Sequence, residues 1–123
     1  MIITLPLKPI STNKIWSGKR WLSPSAKQFQ RDCTRLLQVQ RKRLRSKEGD
    51  MSIHFRFGLS RDMDTSNCIK LLEDCIASVM GIDDMRFRGI TATKEKVSKG
   101  AEFISFDITD YIDGHFLPKK SAE

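Results

Sequence analysis

The sequence predicts a small, single α+β domain in which two helices pack on a mixed β-sheet. Two observations lead to this fold class. Segments whose apolar and polar residues alternate with the period of a strand occur near the middle and near the end of the chain. Two further segments have the wider apolar spacing of amphipathic helices. The length of 123 residues is that of one domain with its own core.

Local signals place the elements in the order strand, hairpin, helix, strand, helix and two strands. Ser23 and Pro24 are the N-cap and first residue typical of a helix start, and this first helix is expected to reach about Leu44. Residues 51–60 alternate strictly and predict a half-buried strand. The other expected elements are a strand at 2–5, a hairpin between Trp16 and Trp21, a helix at about 67–80, and strands at 87–97 and 102–109 joined at 98–101. Residues 1–112 form the expected domain and 113–123 a polar tail.

Composition narrows the possible functions. The chain has no apolar run that could cross a bilayer and no signal-peptide pattern at its start, so we expect a cytoplasmic protein without a membrane partner. Its three cysteines lack disulfide or zinc spacing and are expected to be buried thiols. The net charge is +7, and before residue 48 only Asp32 opposes a dense set of Lys and Arg. This asymmetry favours a nucleic acid partner, although a solvated basic surface explains the charge equally well.

Acidic residues bracket the second predicted helix. Asp62, Asp64 and Ser66 are two positions apart, so on an extended strand their side chains would point the same way. Two such carboxylates repel each other unless a cation lies between them, and Mg²⁺ prefers hard oxygen ligands of this kind. After the helix, a second acidic pair, Asp83 and Asp84, follows Gly81. The pattern therefore favours a magnesium site.

The second helix itself is largely apolar but has one polar stripe. If the stripe simply faces solvent, an i,i+4 ion pair between Lys70 and Asp74 explains it. Beside two acidic pairs, it instead favours catalysis, because a DNA-cleaving surface needs bases that hold phosphates and acids that hold a metal. The stripe consists of Asn67, Lys70, Asp74 and Ser78, and the basic residues downstream are Arg86, Arg88, Lys94, Lys96 and Lys99.

In these motifs the chain resembles the RusA family of Holliday-junction resolvases, which are small, dimeric, magnesium-dependent endodeoxyribonucleases common in phages and prophages. The family motif Asp-x-Asp-Asn-x-x-Lys-x-x-x-Asp is followed by an Asp-Asp pair. Residues 64–74 fit this motif without a gap, and Asp83 and Asp84 supply the pair. Segments 5–13, 23–31 and 97–100 resemble the family's opening, first-helix start and late hairpin. Ser66 stands where the family has its second acid, and we expect Asp62 to replace that acid.

The resemblance implies paired, symmetric nicks in a four-way (Holliday) DNA junction, made by a homodimer with Mg²⁺, for which Mn²⁺ is expected to substitute. Lys70 would stabilise the developing charge, and Asp74 would orient Lys70 or support the metal. Two alternatives stay open, namely a non-catalytic nucleic-acid-binding module and a less selective branched-DNA or flap nuclease. The implied catalytic residues are Asp64, Lys70, Asp74 and Asp84, and the implied metal ligands are Asp62, Asp64, Asp83 and Asp84. The implied DNA-binding residues are Lys14, Lys19, Arg20, Lys27, Arg31, Arg35, Lys94, Lys96 and Lys99.

Overall fold

The computed structural model describes residues 2–17, 21–44 and 49–111. These ranges form a four-stranded mixed sheet, a two-stranded hairpin and two α-helices, which confirms the predicted α+β fold. The expected tail at 113–123 lies outside the described residues. The strands are β1 (Ile2–Leu5), β2 (Trp16–Ser17), β3 (Trp21–Leu22), β4 (Met51–Leu59), β5 (Phe87–Lys96) and β6 (Phe103–Asp110), and the helices are α1 (Pro24–Val39) and α2 (Ser66–Met80).

The four-stranded sheet has the order β1-β6-β4-β5. β4 pairs with β5 in parallel, because α2 returns the chain to the end of the sheet at which β4 begins. β4 pairs with β6 in antiparallel fashion. β5 and β6 therefore lie on opposite sides of β4, and the late hairpin implied by the family resemblance is wrong. The connection between them instead crosses the end of β4, where the Val97 amide donates to the Leu59 carbonyl at 2.9 Å.

β4 is the centre of the core. Its residues Ile53, Phe55 and Phe57 are at most 1% exposed. On the other face Arg56 is exposed, as the predicted half-burial requires, while Gly58 is buried beneath the Phe103 ring.

α1 begins as predicted and ends earlier than predicted. The Ser23 hydroxyl accepts from the Ala26 amide at 3.1 Å, so Ser23 is the N-cap. The helix ends at Val39, because Gln40 leaves helical geometry and a 3-10 turn over Arg41–Arg43 follows. The tighter turn still carries Leu44 into the core, where it is 4% exposed.

The interface between α1 and α2 contains apolar side chains and thiols. Cys33 of α1 and Cys75 of α2 are in hydrogen-bond contact, and that bond lowers the pKa of Cys75 to about 7. Burial raises the pKa of the Cys68 thiol to about 11. All three cysteines are buried and unpaired by disulfides, as the sequence predicts. Within the described ranges, neither helix combines the length and apolar character needed to span a bilayer.

The first prediction follows from the close packing of Phe103 on Gly58. A methyl group at position 58 would overlap ring atoms of Phe103. We expect Gly58→Ala to lower the free energy of unfolding by about 1–3 kcal/mol, a cost typical of overpacking. Urea denaturation measures this change. In the background of Phe103→Leu the cost of Gly58→Ala should shrink, and an equally stable Gly58→Ala single variant would contradict the packing described here.

Candidate functional site

One exposed row of α2 organises the candidate site. Ser66, Lys70, Asp74 and Ser78 follow each other at four-residue spacing, which places them on one side of a helix. All four are exposed, whereas Cys68, Leu72 and Ile76 behind them are fully buried. The predicted polar stripe is therefore present, although it begins at Ser66 and not at Asn67, which is only partly exposed.

Asp64 meets this row at its first residue. One carboxylate oxygen of Asp64 accepts from the Ser66 amide at 3.0 Å and from the Ser66 hydroxyl at 2.8 Å. These hydrogen bonds, together with the charge of Lys94, hold the pKa of Asp64 below its ordinary value. Asp64 is thus an ionised carboxylate at neutral pH, fixed at the helix N-terminus.

The geometry of the acids at 62–66 differs from the prediction. β4 ends at Leu59, opposite the last residue of β5, so Asp62 and Asp64 lie in a loop and Ser66 is the first residue of α2. The expectation that Asp62, Asp64 and Ser66 share a strand face is therefore wrong, because beyond Lys96 the strand has no partner to extend along. The loop nevertheless brings Asp64 and Ser66 together.

The sequence did not identify Thr12 as a part of this site. Its hydroxyl accepts from the Asn67 amide at 3.1 Å, and its own amide donates to the Asp64 carbonyl at 2.9 Å. Thr65, in the N-cap position, makes no side-chain capping bond. Thr12 therefore caps α2 from a distant segment, and the only sequence signal for it was its place in the family-like opening at 5–13.

A second group of charges lies further along the row. The Lys70 ammonium group is 3.2 Å from an Asp84 carboxylate oxygen and 3.9 Å from one of Asp74. The ion pair between Lys70 and Asp74, which would explain a stripe that simply faces solvent, is therefore longer than the ion pair between Lys70 and Asp84. The hydrogen bond to Asp84 and the charge of Asp74 raise the pKa of Lys70, so this group is cationic at neutral pH.

The carboxyl groups of Asp74 and Asp84 are hydrogen-bond partners when one of them is protonated. Burial, followed by the hydrogen bond to Asp84, raises the pKa of Asp74. The same hydrogen bond, with the Lys70 bond, lowers the pKa of Asp84. Two acids so placed share a proton or need a cation between them, and here the Lys70 ammonium group lies within 3.9 Å of both.

Two other acids complete the surroundings. The Asp83 carboxylate accepts from the Met85 amide at 2.9 Å and so begins the 3-10 turn over Asp84–Arg86. This bond gives Asp83 a capping role beside Asp84. Glu73 is 9% exposed, and burial raises its pKa. No sequence pattern indicated Glu73, because a lone Glu on a helix usually faces solvent.

The structure does not gather the four predicted metal ligands into one cluster. Within the described ranges, no group of three or more Asp, Glu, His or Cys side chains lies close enough to hold a metal ion. Asp64 meets the row at Ser66, and Asp84 meets it at Lys70, about 6 Å further along the helix axis. The candidate site therefore consists of two acidic groups separated by about one helical turn.

Asp62 and Asp64 border an open cleft of about 1170 Å³. Lys14 and Lys99, two of the predicted DNA-binding residues, line the same cleft. Its other lining residues comprise a third acid, Asp32, and cationic, polar and apolar side chains that include Lys8, Arg61, Asn13, Gln28, Phe29 and Met63. A cleft with this lining can hold both the charged and the flat parts of a nucleotide.

The remaining predicted DNA-binding residues occupy separate places. Lys27, Arg31 and Arg35 lie along α1 and line a second groove, of about 620 Å³, together with Asp74 and Ser78 of the α2 row. This groove therefore borders the candidate site at Asp74 and Ser78.

The basic residues of β5 are placed differently. The Lys94 ammonium group donates to the Met63 carbonyl at 2.8 Å, so it holds the acidic loop and acts on Asp64. Lys96 is exposed near the end of the strand. Lys19 and Arg20 lie outside the described residues.

The opposite pKa shifts of Asp74 and Asp84 make a paired prediction. Because folding raises the pKa of Asp74, its charged form costs stability above the unfolded-state pKa. Asp74→Asn should be more stable than wild type at neutral pH, and the gain should vanish as the pH falls below the unfolded-state pKa. Folding lowers the pKa of Asp84, so Asp84→Asn should be less stable at neutral pH, and this loss should vanish as the pH falls through the folded-state pKa.

Urea unfolding of wild type and both variants, from neutral to acidic pH, measures these differences. If Asp74→Asn were less stable than wild type at neutral pH, the attraction between Lys70 and Asp74 would outweigh the repulsion described here.

The cap supplied by Thr12 makes a further prediction. Thr12→Ala removes the acceptor for the Asn67 amide, and we expect a loss of about 1 kcal/mol in the free energy of unfolding. Thr12→Ser keeps the hydroxyl group and should retain most of the stability. Chemical denaturation of the two variants tests the assignment, and equal stability of Thr12→Ala and wild type would show that the cap contributes nothing.

The chain matches none of the protein-family models and none of the curated protein sequences with which it was compared. The likeness to the RusA family therefore remains a resemblance in motif order and spacing.

Proposed function

We propose that this protein is a Mg²⁺-dependent endodeoxyribonuclease that resolves four-way DNA junctions, as its resemblance to the RusA family implies. One observation supports the proposal most. A single exposed row of α2 connects an ionised acid at Ser66 with a cation and two acids at Lys70. Acids, a lysine and flanking basic grooves on one surface are the groups that phosphodiester hydrolysis requires.

The chemistry of the donor groups fits Mg²⁺. The closeness of Asp74 and Asp84 disfavours two negative charges, and Asp64 is held in its ionised form. A divalent cation bound at Asp84 would relieve that repulsion from the Asp84 side, and carboxylate oxygens are the ligands that Mg²⁺ prefers. Asp64 and Asp84 would be the main ligands, with Asp62 and Asp83 as nearby support. When bound, Mg²⁺ supplies a water of lowered pKa and neutralises charge on the phosphate.

Lys70 is the residue that would stabilise the charge that develops on the phosphate or leaving oxygen. Its raised pKa keeps it protonated at neutral pH, so it acts as a fixed positive charge and not as a base. Asp74, at 3.9 Å from the ammonium group, would keep Lys70 on the exposed side of α2 when Asp84 engages the metal. Asp74 is therefore a positioning residue in this scheme.

Basic surfaces on both sides of the row would hold the DNA backbone. Lys14 and Lys99 line the cleft beside Asp64, while Arg31 and Arg35 line the groove beside Asp74. Phosphate contacts of this kind fix the position of DNA without reading its sequence. Two symmetric nicks need two such sites, so we further propose that the active form is a homodimer.

A non-catalytic nucleic-acid-binding module is the second candidate. The observation in its favour is that no group of three potential ligands forms among the described residues. In this case Lys70 would neutralise Asp84 permanently, and the acids would only shape the surface.

A cleavage assay separates these functions. Labelled four-way junction, flap and duplex DNA are incubated with protein in Mg²⁺, in Mn²⁺ or with a chelator. We expect paired nicks in the junction with either metal and none with the chelator. Asp84→Asn and Lys70→Met should lower the rate by about 100-fold or more, as expected for loss of a charged group at the reacting phosphate.

Glu95→Gln is the matched control, because Glu95 is an exposed acid of β5 that pairs with Arg56 at 2.9 Å, on the sheet face opposite the buried Phe55 and Phe57. It should leave cleavage unchanged. Asp62→Asn should abolish cleavage if Asp62 replaces the acid missing at Ser66. Junction binding without nicking in any metal would favour the binding module, and equal cutting of flaps and junctions would favour a less selective nuclease.

A further inference from the structure

We propose that the β2–β3 hairpin stacks its two tryptophans on unstacked nucleobases of branched DNA, beside the cleft that contains Asp62 and Asp64. The inference rests on the proposed function for its partner, DNA. It adds a substrate contact that none of the basic residues provides. Trp16 and Trp21 are the only tryptophans of the chain, and both lie on this hairpin.

Both tryptophan rings are open to solvent. Trp21 is 73% exposed and Trp16 is 49% exposed, although Trp is usually among the more buried residues of a domain. Most other large aromatic side chains of the described ranges, such as Phe55, Phe57 and Phe106, are in the core. The position of both rings at the surface is therefore not explained by core packing.

The base of the hairpin is anchored to the domain. The Ser23 amide donates to the Ile15 carbonyl at 2.7 Å, and the Ser23 hydroxyl donates to the Lys14 carbonyl. Ile15 is fully buried, and Leu22 packs against the core. The two rings are thus held on a fixed support, which lowers the entropy that a stacked complex must lose.

The strand register places the rings on opposite faces of the hairpin. Trp16 pairs with Leu22, and Ser17 pairs with Trp21. Cross-strand partners share a face and neighbours alternate, so Trp16 is on the Leu22 face and Trp21 is on the opposite one. This arrangement agrees with the greater exposure of Trp21. With one ring on each face, the hairpin can insert between two separated bases. It cannot present both rings to one flat partner surface.

The surroundings favour nucleobases over an apolar protein surface. Among the described residues, the exposed chain neighbours of the rings are polar or basic, namely Asn13, Lys14 and Ser17, and they do not extend the rings into an apolar patch. Lys14 also lines the cleft beside Asp64, which brings a positive charge within the same surface. Aromatic rings beside cations are the usual surface for single-stranded nucleic acid, where bases stack and phosphates pair.

This surface would distinguish branched DNA from duplex DNA. In a continuous duplex the faces of the bases are already stacked on each other, whereas a branch point or single strand exposes them. The hairpin would therefore hold unstacked bases while the neighbouring cleft receives the adjoining phosphates. The proposed selectivity then comes from stacking, and the basic residues contribute affinity for any DNA.

Tryptophan fluorescence tests the proposal directly. Trp16→Phe leaves Trp21 as the only tryptophan, and the protein is titrated without divalent metal with single-stranded, four-way-junction and duplex DNA of one sequence. We expect single strand and junction to quench Trp21 emission and duplex to change it little. Trp21→Ala should weaken junction binding about tenfold, Trp21→Phe should restore most of it, and duplex binding should stay unchanged in both.

Three results would overturn the inference. They are unchanged Trp21 emission with every DNA, wild-type junction affinity of Trp21→Ala, or an emission change that depends on protein concentration alone, which would mean that the rings pack between two copies. The proposed nuclease activity is judged separately, from the nicking of DNA. Junction nicking with normal binding by Trp21→Ala would refute only the stacking surface, and quenching without nicking in any metal would refute only the nuclease.

Discussion

The burial of α2 determines where chemistry can take place in this domain. Cys68, Leu72 and Ile76 point into the core and are fully buried, so a single row of the helix is left for polar groups. Each polar side chain of that row therefore meets solvent and the charged groups that follow or precede the helix. The sheet fixes the position of α2 because the helix connects the parallel strands β4 and β5.

The row keeps like charges together at some cost in stability. Burial and the hydrogen bond with Asp84 disfavour the charged form of Asp74, and Glu73 is a buried carboxyl group close to both. Lys70 offsets only a part of this repulsion. Acids that are held together against their mutual repulsion occur where a cation or substrate acts, and they occur also in structural ion-pair networks.

Much of the fold could be predicted because its signals are local. The cap at Ser23, the alternation in β4 and the apolar spacing of α2 each depend on neighbours in sequence. The separation of β5 from β6 depends on competition between strands for the edges of β4, which no local pattern records. The early end of α1 likewise follows from a 3-10 turn that still buries Leu44.

The candidate site shows the same limit. The stripe with Lys70 and Asp74 could be read from helical spacing, and Asp84 from its place after the helix. The cap by Thr12 could not, because Thr12 and Asn67 are 55 positions apart and meet only in the folded chain. The burial of Glu73 could not be predicted either, because it depends on packing that exists only in the folded chain. The distances between Asp64, Lys70 and Asp84 also depend on how the two loops return to α2.

We propose that Asp64, beside Ser66, and Asp84, beside Lys70, bind one divalent cation between them. Anomalous diffraction from a crystal soaked in Mn²⁺ locates the ion without requiring activity. We expect an anomalous peak coordinated by carboxylate oxygens of both Asp64 and Asp84, with Lys70 displaced from Asp84. Mn²⁺ bound elsewhere, or none bound beside either acid, would contradict it.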